Sequence, residues 1–93
     1  MEKIMNKGDI VSVLCPMGEF VGKLIANEDG KLELEDPRLV VSGEQGLGFA
    51  KGIAQTGKME PEYMCFNQYS FITESNEEVQ KAYRAHTSGI VTP

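Results

Sequence analysis

The glycine-rich middle of the chain contains a spacing that could bind phosphate. Gly52, Gly57 and Lys58 satisfy the GxxxxGK part of a phosphate-binding loop, whose backbone amides and lysine hold phosphate groups. Met59 stands where such a loop has the Ser or Thr that ligates magnesium, and Glu60-Pro61 follows where a helix should start. The segment therefore predicts a glycine-rich hairpin and no nucleotide site.

Catalysis would depend on the single histidine or on the carboxylates. His86 lies near the end of a predicted helix, beside Thr87 and Ser88, where a surface role is the default for a histidine. The carboxylates are explained by the solvent face of a predicted strand and by the start of the predicted helix; they are Glu33, Glu35 and Asp36, and Glu74, Glu77 and Glu78. We predict no catalytic residue and no enzyme.

The two cysteines, Cys15 and Cys65, lie far apart in the sequence and form no CxxC pair. With one histidine only, they cannot complete a tetrahedral zinc site from sulfur and imidazole within one chain. Each falls in an apolar run, so we predict that both pack as small hydrophobic core residues. We expect no metal, no cofactor and no disulfide, and the sequence leaves open whether the two thiols lie close together.

Aromatic side chains could stack on nucleic-acid bases, with cationic side chains available for phosphates. The alternative, which we favour, is that they fill a core, because aromatic residues that alternate along strands usually do so. The aromatic candidates are Phe49, Tyr63, Phe66, Tyr69 and Phe71, and the cationic candidates are Lys23, Lys31, Arg38, Lys51 and Lys58.

The length and charge of the chain limit what it can do. Its 93 residues fit one domain with one modest core, so residues 1–93 are predicted as a single unit. The formal net charge of −5 disfavours generic binding to DNA or to membrane surfaces. It does not exclude a local pocket that binds nucleic acid, because only a few contacts in such a pocket need be positive. No apolar run has the length of a signal peptide or of a membrane-spanning helix, so we expect a cytoplasmic protein.

Apolar and β-branched residues predict the first three strands. The first run, 10–15, ends at a Pro-Met-Gly turn, and the second, 20–25, leads to a hairpin turn at 27–30. Residues 31–35 alternate charged and apolar side chains, which is typical of a strand with one face in the core. Pro37 lacks an amide donor, so the third strand must bend, bulge or lie at an edge there before it resumes at 39–41.

The rest of the chain predicts further strands and one helix. Residues 42–61 indicate a glycine-rich strand or extended hairpin, and two short runs, 63–66 and 69–72, are separated by a turn at Asn67-Gln68. Ser75 and Glu78 match the S-x-x-E capping box of a short helix over about residues 75–87. Its narrow apolar stripe consists of Val79, Ala82 and Tyr83, and Gly89 can end it.

Two segments carry a family resemblance. Residues 10–36, with Gly18, Gly22 and an acidic hairpin at Asp29, resemble the first motif of Sm and Sm-like proteins. Residues 66–72 resemble the segment in which that family has its second motif. The resemblance implies an all-β fold: a small, strongly bent SH3-like or Sm-like barrel of about five strands, over about residues 9–73, closed by the short C-terminal α-helix. The arrangement is also similar to short Sm-like proteins encoded by tailed phages.

The same resemblance implies a function. Sm-like proteins form rings of subunits and bind single-stranded RNA around the pore, so we expect a non-catalytic, homo-oligomeric module whose ligand is single-stranded RNA. The implied contacts are Asn27, Asp29, Lys31, Asn67 and Tyr69, because the resemblance puts the two turns that carry them together. Glu33 and Asn67-Gln68 stand where the family has Asn and an Arg-Gly pair. The alternative is a structural or protein-interaction subunit with an SH3-like barrel that binds no nucleic acid.

Overall fold

The computed structural model describes residues 5–28, 30–50 and 53–88. They form a mostly antiparallel β-sheet with one short C-terminal helix, which confirms the predicted all-β class at that level. The elements are β1 (Ile10–Cys15), β2 (Gly18–Glu28), β3 (Lys31–Gly43), β4 (Gly46–Ala50), β5 (Tyr63–Phe66), β6 (Phe71–Glu74) and α1 (Glu77–Thr87). The helix is not long and apolar enough to cross a membrane, and the described residues contain no other helix.

The sheet has the strand order β4-β3-β2-β1-β6, and β5 also pairs with β3. β4 lies along the second half of β3, at Leu39–Gly43, whereas β5 lies along the first half, at Leu32–Glu35. β4 and β5 therefore form one edge of the sheet and β6 forms the other. Because β5 and β6 do not pair with each other in the described part of the chain, the sheet is open.

The long strand β3 bends at the predicted place. Between the pairs Val21↔Arg38 and Lys23↔Glu35, the single residue Gly22 of β2 lies opposite two residues of β3, which is the geometry of a β-bulge. The first of the two bulge residues, Asp36, has a positive φ of 51°, a conformation that Asp tolerates better than most residues. The Asp36-Pro37 signal thus marks a bend inside one strand.

Gly22 is required where β2 passes the bulge. A Cβ atom at this position would lie 3.1 Å from the Leu34 side chain and 3.3 Å from the Glu35 carbonyl oxygen. We expect Gly22→Ala to lower the free energy of unfolding by about 1–3 kcal/mol, the usual cost of overpacking, as measured by urea denaturation. Gly48→Ala is the matched control, because its Cβ would meet only Val41 Cγ2 at 3.9 Å. Equal stabilities of the two variants would contradict this account of the bend.

Two apolar clusters cover the two faces of the sheet. The larger lies within the curve of the strands, where the rings of Phe20 and Phe66 meet edge to face with their centroids 5.2 Å apart. The smaller lies under the helix and joins Ile10 and Val21 to Tyr83. The larger cluster consists of Val11, Val13, Phe20, Leu24, Leu32, Leu34 and Phe66. The sheet therefore buries side chains on both faces, and α1 covers the second face.

The start of the helix differs from the predicted capping box. Asn76, not Ser75, is the N-cap, and its side-chain oxygen accepts a hydrogen bond of 2.8 Å from the Val79 amide. Ser75 is buried, and its hydroxyl lies 2.7 Å from the hydroxyl of Ser12. The S-x-x-E match was wrong by one residue because Ser75 is held by β1. Gly89, the predicted stop, lies outside the described residues.

Candidate functional site

A cleft lies where the β1–β2 turn, the β2–β3 turn and the segment between β5 and β6 meet. Its volume is about 460 Å³, and it is lined by Pro16, Gly30 and the four residues 67–70. We call it the turn cleft. Gly30 adopts a φ of +78°, which glycine accepts without strain and which allows the tight turn.

Hydrogen bonds fix the segment that forms one wall of the turn cleft. The Ser70 amide donates to the Leu14 carbonyl oxygen at 2.6 Å, which ties the segment to β1. The Tyr69 hydroxyl donates to Asn27 Oδ1 at 2.8 Å, which ties it to the end of β2. The Tyr69 side chain also packs against the larger core cluster. The second half of the segment, Tyr69 and Ser70, is therefore held by β1, by the end of β2 and by the core cluster.

Two of the five predicted contact residues line this cleft. Asn67 and Tyr69 line it, and Asn27 reaches it through the hydrogen bond from Tyr69. Lys31 is exposed and begins β3 beside Gly30. Asp29 lies outside the described residues. Four further lining residues, Pro16, Gly30, Gln68 and Ser70, were not predicted as contacts; Pro16, Gly30 and Gln68 carried only turn signals.

The turn cleft presents two carboxamides, and no cationic side chain is among its lining residues. Asn67 and Gln68 are both exposed, and each carboxamide offers two N–H donors and an acceptor oxygen. The six lining residues include no Lys or Arg, and Lys31, next to Gly30, lies opposite Glu28 in the register of β2 and β3. The site can therefore exchange hydrogen bonds with a neutral polar group, and its lining residues offer an anion no positive charge.

Several other candidates from the sequence do not join this site. Arg38 is 5% exposed and donates from Nη1 to the Pro37 carbonyl oxygen at 2.9 Å, so it is not available for phosphate. Phe66 is buried, as the core interpretation predicts, whereas Tyr63 and Phe71 are each 51% exposed. Phe49 packs against the cluster under the helix. Lys51 lies outside the described residues.

The segment with the partial phosphate-loop match, 52–58, forms an ordinary turn in its described part. The Gly57 amide donates to the Ala54 carbonyl oxygen at 3.0 Å, so it is not directed at a ligand. Gly52 lies outside the described residues, and Lys58 and Met59 are exposed. The predicted glycine-rich hairpin is therefore limited to β3 and β4, and the described chain from 53 to 62 forms turns and bends.

The region around His86 is occupied by packing and capping contacts. The imidazole ring lies 5.5 Å, centroid to centroid, from the ring of Phe49. The neighbouring hydroxyls bond to the helix itself, because Thr87 Oγ1 donates to the Tyr83 carbonyl oxygen and Ser88 Oγ to that of Ala85. The described residues also contain no group of three or more His, Cys, Asp or Glu side chains that could hold a metal ion.

Comparison with protein-family models, with curated proteins and with solved structures found no match to this chain. The resemblance of residues 10–36 and 66–72 to Sm-like proteins therefore stays a prediction.

Proposed function

We propose that this chain is a non-catalytic Sm-like module that self-associates and binds single-stranded RNA at the turn cleft. The observation that supports the proposal is the joining of two sequence-distant turns by the Tyr69–Asn27 hydrogen bond. This bond presents the exposed amides of Asn67 and Gln68 at the rim of a cleft. In this proposal the protein acts in the cytoplasm.

The cleft suits an unstacked base better than a phosphate. Sequence-specific binding of single-stranded RNA depends on hydrogen bonds to the edges of splayed bases and on stacking. The carboxamides of Asn67 and Gln68 can pair with such an edge, because each has both donors and an acceptor. Lys31 beside Gly30 would contribute the single phosphate contact. Affinity at one cleft is therefore weak, and several clefts in one assembly would increase it.

Self-association would use the open edges of the sheet. Tyr63 on β5 and Phe71 on β6 are each 51% exposed, and these strands belong to opposite edges. Exposed edge strands invite pairing with another chain, and contact between two different edges is heterologous, which closes into a ring when the rotation allows. In this proposal the neighbouring copies complete the bent barrel that one chain leaves open.

An amide substitution tests the cleft directly. We expect Asn67→Ala to weaken binding of fluorescent oligo-U or oligo-A by about 3–10-fold, since it removes hydrogen bonds worth about 1 kcal/mol. The measurement is fluorescence anisotropy at low salt. Gln45→Ala is the control, because this amide is also exposed but lies in the turn between β3 and β4. Equal affinities of the two variants would move the RNA site away from the cleft.

A structural or protein-interaction role is the second candidate. The observation that favours it is the lack of Lys and Arg among the cleft-lining residues, together with a net charge of −5. Such a module would keep the same fold and use the exposed side chains of β5 and β6 to contact a protein partner. Absence of oligonucleotide binding by an assembled, folded protein would favour this role.

A further inference from the structure

A second cavity lies directly beside the turn cleft. Its volume is about 340 Å³, and three of its lining residues, Pro16, Asn67 and Gln68, also line the turn cleft. The two cavities therefore lie side by side and meet at these three residues. We call the second one the side cavity. Its other lining residues are Cys15, Met17, Met64, Cys65 and Phe66.

The side cavity has an apolar floor and an exposed thioether at its rim. Phe66 belongs to the larger core cluster, and Cys15 and Met64 pack against that cluster, so these three side chains lie on the core side. Met17 lies in the turn between β1 and β2, and it is 76% exposed. A side chain that projects this far into solvent can move over a ligand, because methionine has three rotatable bonds.

The two cysteines contribute differently to the side cavity. Cys15 ends β1 and supports the floor, and its thiol donates to the Gly18 carbonyl oxygen at 3.5 Å. Cys65 is exposed, contrary to the core position predicted for it. It follows Met64 in β5, so its side chain leaves the opposite face of that strand. The two free thiols thus lie on different sides of β5, and we assign neither of them a contact with a ligand.

No charged side chain lines either cavity, although the chain has 14 acidic and 9 basic residues. An acidic surface repels the phosphates of a nucleic acid, whereas an uncharged groove accepts a neutral group. A nucleobase has a polar edge that forms hydrogen bonds and a π-face that stacks on side chains. The carboxamides of Asn67 and Gln68 suit such an edge, and the apolar side cavity suits such a face.

We propose that the side cavity holds a second base, next to the one in the turn cleft, so that each chain binds two consecutive nucleotides of a single strand. This inference rests on the proposed function, because the first base is taken to lie in the turn cleft. The second base packs its face against Met17, since thioether sulfur makes favourable contacts with aromatic rings. A cavity of about 150 Å³ already holds benzene, so the side cavity has room for a base.

Substitutions of Met17 test the second base. Met17→Ala should weaken binding of fluorescent oligo-U by about 2–10-fold in fluorescence anisotropy at low salt, the range for loss of one sulfur–aromatic contact. Met17→Phe should bind at least as tightly as the unmodified protein, because an aromatic ring also stacks on a base. Met59→Ala is the control, because Met59 is 66% exposed and lines neither cavity. Its affinity should equal that of the unmodified protein.

A comparison of two short ligands tests the second base on the unmodified protein. The dinucleotide UpU should bind at least about 10-fold more tightly than uridine monophosphate, because its second base enters the side cavity as an intramolecular step. In NMR spectra, UpU should shift the methyl signal of Met17 together with the side-chain amide signals of Asn67 and Gln68. The methyl signal of Met59 should stay in place.

The outcomes separate this inference from the proposed function. If UpU shifts the amide signals of Asn67 and Gln68 but leaves the Met17 methyl signal in place, the turn cleft binds a base and the second base is excluded. Equal affinities for UpU and uridine monophosphate, or equal affinities of Met17→Ala and Met59→Ala for oligo-U, would also overturn the inference alone. If no signal moves and oligo-U does not bind, the proposed function fails, and the second base fails with it.

Discussion

Tyr83→Phe is expected to lower the free energy of unfolding by about 1–3 kcal/mol, the cost of leaving buried polar groups without a partner. The Tyr83 hydroxyl donates to the carbonyl oxygens of Asp36 at 2.6 Å and Glu35 at 3.2 Å. Tyr83 is fully buried, so water cannot replace these bonds. Because the two carbonyls belong to the bend of β3, the helix holds the bend in place through this one side chain.

Urea denaturation of Tyr83→Phe and Tyr63→Phe measures this effect with a matched control. Tyr63 is 51% exposed, so loss of its hydroxyl should change stability by less than about 0.5 kcal/mol. Tyr83→Ala should cost about 3–5 kcal/mol, since it also removes a buried ring. If Tyr83→Phe were as stable as Tyr63→Phe, the hydroxyl would not be what holds the bend.

The same residue predicts how stability depends on alkaline pH. Burial raises the pKa of Tyr83 above its ordinary value of 10.0, and the nearby Asp36 carboxylate adds to the shift. The unfolded chain therefore loses this proton first. The contribution to stability is fully present below about pH 10 and is lost as the pH rises above that value. Tyr83→Phe should lack this part of the alkaline decline above about pH 10.

If the protein self-associates as proposed, Phe71→Lys is expected to convert the assembly into single chains. Phe71 lies on β6, half of its surface is exposed, and β6 has β1 as its only partner in the described sheet. An interface along this edge would bury the ring, whereas a lysine there would bring an unpaired charge into a desolvated contact, which costs several kcal/mol. The mass measured by light scattering should fall to that of one chain.

Met59→Lys is the control for the edge variant. It places the same charge at an exposed apolar residue that lies in no strand of the described sheet, so the assembly should keep its mass. Circular dichroism of Phe71→Lys should match that of the unmodified protein, because an exposed side chain is changed. An assembly that tolerates Phe71→Lys would exclude this edge as the interface.

Local patterns predicted the strands well because their causes are local. The period-two alternation of 31–35 places Leu32 and Leu34 in the core, and both are fully buried. Pro37 lies at the bend because its missing amide interrupts the ladder wherever it occurs. The second short run began at Tyr69 in the sequence, but β6 begins at Phe71, because Tyr69 and Ser70 are held by Asn27 and Leu14.

Long-range contacts could not be predicted in the same way. The sequence placed Tyr83 in the apolar stripe of the helix, but its hydroxyl donates to carbonyl oxygens 47 and 48 residues away. The spacing of apolar residues along a helix cannot predict such a distant hydrogen-bond partner. Cys65 was predicted as a core residue from its apolar neighbours, yet the direction of its side chain depends on the pairing of β5 with β3. Among the residues that line the turn cleft, the family resemblance predicted Asn67 and Tyr69 and missed Pro16, Gly30, Gln68 and Ser70.

The most direct test of the proposed function is size-exclusion chromatography with light scattering on the protein mixed with fluorescent oligo-U, repeated at several salt concentrations. We predict one peak that has several times the mass of a single chain and carries the fluorescence at low salt, with the fluorescence lost as salt screens the phosphate contact. A monomer or dimer that elutes without the oligonucleotide at the lowest salt concentration would contradict the proposal.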